Sequence, residues 1–336
     1  MIISRTPFRV SLFGGGTDYP DWYRKNGGAV IGMTIDKYCY MSVRYLPPFF
    51  EHKHRIVWSE IELVNEVSDI EHPAVRAILE EHGADTGLEI SYNADLPARS
   101  GLGSSSSFSV GLLNALNALK GRMSSKKELA DEAIWIEQEV MKEAVGSQDQ
   151  IWAAYGGLNR IDFNKDDSYE VSPMIMSGQN RRELQSSFML FFTGFSRFAV
   201  VLAEKQIANF GRKEKELQTL GQICDQANSI LQQKGSVVDE LGQLMHEGWM
   251  LKRDLAEGVT TPEIDDIYNA GLEAGALGGK LLGAGGGGFM LFLVEPEKQK
   301  AVREKLKDLI HVNFEIDTGG SKIVVFEPDD AEINQK

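Results

Sequence analysis

The stretch DLPARSGLGSSSSF, from Asp95 to Phe108, decides how the chain is read. It lies between Leu88-Glu-Ile-Ser-Tyr92, whose apolar residues alternate as in a strand, and a segment with Phe108, Leu112, Ala115, Leu116 and Leu119 at helical spacing. The pattern predicts strand, loop and helix. Gly101 and Gly103 let the backbone approach a ligand closely. Ser104, Ser105 and Ser106 fall where a new helix presents unpaired N–H groups and the positive end of its dipole. Such a place binds anions, so Gly101, Leu102, Gly103, Ser104, Ser105 and Ser106 are the candidate phosphate-binding residues. A Ser/Gly run is elsewhere a linker, but a linker has no reason to join a patterned strand to a strongly apolar helix.

Composition narrows the field around this loop. A chain of 336 residues has length for a large core and, by size, about two domains. Its net charge of −14 argues against nucleic acid as a partner, since that normally needs a basic face. Cys39 and Cys224 are too few for a disulfide framework and lack CxxC spacing, which fits a reducing compartment. No signal-peptide pattern and no membrane-spanning apolar run is visible, so the expected location is cytoplasmic, without a membrane partner.

Two further glycine runs bracket the serine loop. Near the start, Phe8, Val10 and Leu12 alternate against Arg9 and Ser11, and Phe13-Gly14-Gly15-Gly16-Thr17-Asp18-Tyr19 follows. Three glycines exceed what a tight turn needs, so Gly15, Gly16 and Thr17 are read as a substrate approach, with Asp18 as hydroxyl acceptor. Late in the chain, Gly278 to Phe289 holds Gly285, Gly286 and Gly287 and leads into a strand. It contains GxGxxG, but a dinucleotide-binding loop would open a helix instead.

Between these landmarks, Ser125-Lys-Lys-Glu128 is a capping box starting a helix predicted to reach about Val145, with Glu137, Glu139 and Glu143 on it. Most carboxylates on a helix form a solvated face. Asp149 follows in Gly146-Ser-Gln-Asp149, either a turn partner or a functional group. A polar, proline-containing texture from Asn164 to Gln185 marks a domain boundary, giving domains at 1–175 and 186–330. Thr193-Gly-Phe-Ser-Arg197 puts a guanidinium where a strand ends and a helix begins, so Arg197 is a candidate for a substrate phosphate.

Taken together, Pro7 to Tyr19, Gly101 to Ser105 and Leu282 to Phe289 resemble the three motifs of the GHMP kinases, in order and across nearly the whole chain. That family transfers the ATP γ-phosphoryl group to a small molecule. The resemblance implies an α+β two-domain fold, with an N-terminal ribosomal-protein-like α+β domain and a C-terminal ferredoxin-like α/β domain flanking the active-site cleft. It implies ATP and Mg²⁺, with Asp149 as base, Arg9 paired to it, and Ser105 as a metal ligand together with Glu139. The spacing to Asp149 leaves Glu137 open. It also implies that Gly285, Gly286 and Gly287 form the pocket wall. The first motif lacks the Glu and His of galactokinase-like chains and is similar to the fucokinase and heptose kinase branch, which acts on an anomeric hydroxyl. The expected substrate is a seven-carbon sugar phosphate, with L-fucose or another sugar as the alternative. A sugar sensor without turnover is a further reading. The sequence leaves the oligomeric state open.

Overall fold

A computed structural model of the chain describes residues 1–84, 86–194, 199–233 and 235–327. Arg197 lies outside the described residues, so its expected role has no structural counterpart below. Two sheets organise the chain. The larger has nine strands, with Ile2–Phe13, Gly28–Tyr45 and Leu88–Ala94 at its centre and the hairpin His54–Val57/Ile61–Val64 at one edge. The smaller has four antiparallel strands, ordered Ile310–Val312, Phe188–Phe192, Phe289–Leu293, Gly278–Leu281. Numbered along the chain, that order is 4-1-3-2, the ferredoxin-like arrangement expected of the C-terminal part.

The alternating pattern of the first strand explains how the sheets are joined. Phe8, Val10 and Leu12 enter an apolar cluster shared with Leu190, Leu291, Ile223 and Leu241, which come from the second half of the chain. The opposite face of the large sheet, with Met41, Val43 and Ile90, is covered by Ser104–Leu119 and by Lys126–Trp135 and Gln148–Tyr155. An apolar junction of this kind holds the two halves more firmly than a wet hinge would.

The division at 1–175 and 186–330 needs a correction. Ile316–Asp317 pairs with Ile35 and Thr34, and Lys322–Phe326 pairs antiparallel with Ile2 to Arg5, so the last strands return to the N-terminal sheet. Their local pattern says strand but does not name the partner, which tertiary packing chooses. Ser321 seals the return: its hydroxyl meets that of Thr6 at 2.8 Å and accepts from Asn114 Nδ2 at 2.9 Å. A chain ending at residue 314 should therefore lose stability globally. We expect its unfolding midpoint to drop by roughly 10 °C or more, at about 2–4 °C per kcal/mol for a chain of this size. An unchanged midpoint in a thermal melt would show that the closing strand is dispensable.

Candidate active site

The serine loop folds as its sequence indicates. Gly103 takes a left-handed conformation (φ 71°) and starts the helix Ser104–Leu119, whose first intrahelical bond runs from Ser107 N to Gly103 O at 2.9 Å. The N–H groups of Ser104, Ser105 and Ser106 therefore have no intrahelical carbonyl, and the dipole adds positive potential there. The four serine hydroxyls diverge. Ser104 accepts from Arg99 N (3.1 Å), Ser107 donates to Pro7 O (2.9 Å), Ser106 donates to Glu137 (2.9 Å), and Ser105 is exposed.

Beneath the loop lies the ion pair that the first strand and the helix Gln148–Tyr155 bring together. Arg9 donates from Nε and Nη2 to the two carboxylate oxygens of Asp149, both at 2.6 Å, and from Nη1 to Gly101 O at 2.5 Å. Arg9 N also donates to Leu102 O at 3.0 Å. A Cβ on Gly103 would lie 2.9 Å from Arg9 Cγ and 3.2 Å from Asp149 Oδ2, so only glycine leaves the pair room under the loop. The Asp149 side chain keeps 21% exposure against 6% for Arg9, which leaves the carboxylate reachable. The third glycine run closes on the same loop. A Cβ on Gly283 would sit 2.5 Å from Gly101 Cα, one on Gly288 2.2 Å from Ser100 O, and Phe289 N donates to Ser100 O at 3.2 Å. Gly286 N donates to Val259 O at 3.0 Å and a Cβ on Gly285 would lie 2.7 Å from Val259 Cα, so these two glycines run beside residue 259.

Three expectations meet a different geometry. The capped helix ends at Trp135, and Ile136–Val140 is a π-helical turn, with Met141 N donating to Ile136 O at 2.8 Å. The wider turn rotates the carboxylates relative to an α-helix. Glu139 is left 54% exposed and paired with Lys142, away from the loop. Glu137 instead is 1% exposed and accepts from Ser106 Oγ and from Gln150 Nε2 (2.5 Å). Burial, against the hydrogen bonds it receives, pushes the Glu137 carboxyl up to about 7, and its Oε1 has no partner. Thr17 does not present its hydroxyl to a ligand: its single proton lies between Gly14 O and Ala29 O, both 2.9 Å away, and its oxygen accepts from Ala29 N at 3.1 Å. Asp18 is buried and accepts from Gly16 N (3.0 Å) and Gln148 Nε2 (2.8 Å), with burial first and Asp149 next raising its pKa. Here Asp18 braces its loop and the residue before Asp149. Gly16 faces Leu217 and Leu255, and Gly15 lies beside Ser11.

Sequence reasoning missed two lysines in this region. Lys252 donates to Gly283 O at 2.6 Å and Lys280 to Leu12 O at 3.0 Å, both buried. Lys280 falls inside the Gly278 to Phe289 run without being marked out by it, Lys252 has no motif around it, and only the fold shows where their side chains go.

The family model for the GHMP kinases N terminal domain matches residues 65–157, and that for GHMP kinases C terminal matches residues 231–311. A D-glycero-alpha-D-manno-heptose 7-phosphate kinase of Campylobacter jejuni is 30% identical over 90% of this chain and 94% of its own length. The chain is a GHMP kinase. A Bacteroides fragilis L-fucokinase/L-fucose-1-P guanylyltransferase is 27% identical over 90% of this chain but only 35% of that longer protein. The solved structure of a D-glycero-D-manno-heptose 1-phosphate kinase from Bacteroides thetaiotaomicron shares the fold, with a TM-score of 0.79 at 24% identity, covering 97% of this chain and 100% of that one. As a GHMP sugar kinase it uses ATP and a sugar as its small-molecule substrates. Among the described residues no helix is long and apolar enough to cross a membrane.

The ion pair makes a direct test of the site. Removing one partner of a largely buried pair typically costs about 3–5 kcal/mol in stability, so Asp149→Asn, which keeps the shape and one of the two acceptor oxygens, is the informative change. Turnover should fall by about two to four orders of magnitude, the span for losing a general base, while ATP affinity changes little. Steady-state rates with ATP titrated by calorimetry would expose the opposite case, full turnover without the carboxylate.

Proposed function

We propose that this GHMP sugar kinase phosphorylates the anomeric hydroxyl of D-glycero-D-manno-heptose 7-phosphate, giving the 1,7-bisphosphate for nucleotide-activated heptose synthesis. The carrying observation is the end-to-end similarity to the Campylobacter jejuni 7-phosphate kinase, at 30% identity. The first motif supports it, because Gly14-Gly15-Gly16-Thr17-Asp18 lacks the Glu and His expected of a galactokinase-like site. The similarity to fucokinases favours L-fucose as the second reading.

The chemistry follows from the groups beneath the serine loop. The sugar hydroxyl oxygen attacks the γ-phosphorus, the bond from phosphorus to the bridging oxygen breaks, and ADP leaves. Asp149 takes the hydroxyl proton, and Arg9 holds its carboxylate in place and counters charge on the reacting oxygen. Backbone N–H groups from Gly101 to Ser106 cradle the phosphates where negative charge gathers.

Magnesium suits the residues beside the loop. Glu137 has a buried oxygen without a partner, next to the Ser106 hydroxyl and one residue from exposed Ser105. Hard oxygen donors of this kind, few in number, are what Mg²⁺ takes when phosphate oxygens complete its shell. Ser105 or Ser106 with Glu137 would hold it, and the ion would neutralise phosphate charge. Glu137→Gln should raise the Mg²⁺ concentration for half-maximal rate severalfold, whereas Glu139→Gln should leave it unchanged; the reverse pattern returns the role to Glu139.

Substrate choice is tested with kcat/KM for heptose 7-phosphate, unphosphorylated heptose and L-fucose, together with phosphorus NMR of the product. Heptose 7-phosphate should lead by at least about tenfold, with an anomeric phosphate in the product, as one lost charge-assisted contact implies. Arg197→Ala should narrow that lead if Arg197 meets the substrate phosphate. Better use of L-fucose overturns the assignment in favour of fucokinase.

A further inference from the structure

Lys252 lies in the last turn of the helix Val238–Arg253 and is 8% exposed, and Lys280 on the strand Gly278–Leu281 is 5% exposed. Each ammonium has three donors, yet each makes a hydrogen bond to a backbone carbonyl, and neither forms an ion pair among the described residues. Burying an unpaired ammonium is costly unless an anion completes its surroundings. The neighbouring carboxylates are already engaged, Asp149 by Arg9 and Asp18 by Gly16 N and Gln148.

The contacts around Lys252 run in one line to the reacting groups. Its Nζ holds Gly283 O, Gly283 lies backbone to backbone against Gly101, Gly101 O accepts from Arg9 Nη1, and Arg9 grips Asp149. The third glycine loop and the phosphate loop are thus fastened to each other by a cation on one side and a guanidinium on the other. We infer that Lys252 is a positioning residue for phosphoryl transfer, holding the Gly283 loop onto the phosphate loop in its charged form and supplying positive charge where ATP phosphates arrive. The inference rests on the reading of this cleft as the phosphoryl-transfer site, and not on which sugar is used.

The titratable groups facing Lys252 come from four places: Arg9 on the first strand, Asp18 in the loop after it, Asp149 at its helix start and Lys280 on the adjacent strand, whose own pKa burial lowers well below the usual lysine value. Burial first, and Arg9 next, lower the Lys252 pKa to about 8, with Asp18 and Asp149 pulling the other way. The ammonium is therefore charged below about pH 8 and lost as pH rises through that value. Because kcat/KM reports the free enzyme, its dependence on ATP should fall on the alkaline side.

The test compares wild type, Lys252→Met and Lys252→Arg by kcat/KM for ATP from about pH 6.5 to about pH 9.5. Unfolding midpoints and ATP affinity by calorimetry without sugar are measured alongside. At neutral pH Lys252→Met should lose about 10- to 100-fold in kcat/KM, the range for one charge-assisted hydrogen bond, and should bind ATP more weakly. Its midpoint should stay near or above wild type, because the methionine removes a buried charge along with the hydrogen bond. The alkaline fall should vanish in Lys252→Met. Lys252→Arg should recover part of the rate and carry it to higher pH. Wild-type kcat/KM and ATP affinity in Lys252→Met overturn the inference, as does an alkaline fall that persists without the lysine. So does a rate loss that tracks a lowered midpoint and is not recovered by arginine. A wrong sugar assignment gives a different picture, since it lowers turnover equally in all three proteins and leaves their ATP affinities distinct.

Discussion

Everything in the cleft depends on the pairing of Arg9 with Asp149. The guanidinium satisfies both carboxylate oxygens and the carbonyl of Gly101, so one side chain ties the first strand, the phosphate loop and the helix Gln148–Tyr155 into a fixed arrangement. A bidentate pair of this kind constrains orientation as well as distance, which a lysine in the same place could not do. The constraint passes outward through close backbone contacts. Gly103 must lack a side chain for the pair to fit, and Gly101 and Gly283 must lack one for the two loops to meet.

Placement of that pair relies on the whole chain. Arg9 is on a strand whose inward residues bury into a cluster drawn from both halves, and whose first residues are covered by a strand from residues 322–326. Asp149 is held by a helix resting on the opposite face of the same sheet, in a cluster containing Trp152 and Ile151. Loss of either support would shift the two side chains relative to each other, and misplacement of about 1 Å at a reacting centre is enough to cost orders of magnitude.

The sequence made the three loops legible because glycine runs and a helix start have a local cause: backbone freedom and unpaired N–H groups. The ferredoxin-like arrangement of the C-terminal part followed only from the resemblance of the three motifs to the GHMP kinases, since strands such as Phe188–Phe192 and Phe289–Leu293 are apolar throughout and do not alternate. Other features depend on distance or register and were hidden. Glu137 and Glu139 differ by two positions on a predicted helix, and only the π-helical turn at Ile136–Val140 decides which faces Ser106. Thr17 and Asp18 sit in a glycine loop as a ligand-binding pair would, but their polar atoms are used to build the loop itself. Lys252 and Lys280 carry no signature, since a lysine on an amphipathic helix or a short strand ordinarily reaches solvent. The partner of the last strand was hidden for the same reason, because pairing between residues 2 and 326 leaves no trace in local pattern.

The most direct measurement is a double-mutant cycle on turnover, using Arg9→Met, Asp149→Asn and both together. If the pair works as one unit, the double variant is no slower than the worse single one, because the second change removes nothing that still functions. Losses that multiply would mean Arg9 and Asp149 contribute through separate routes, contradicting the pair as the element on which the site is built.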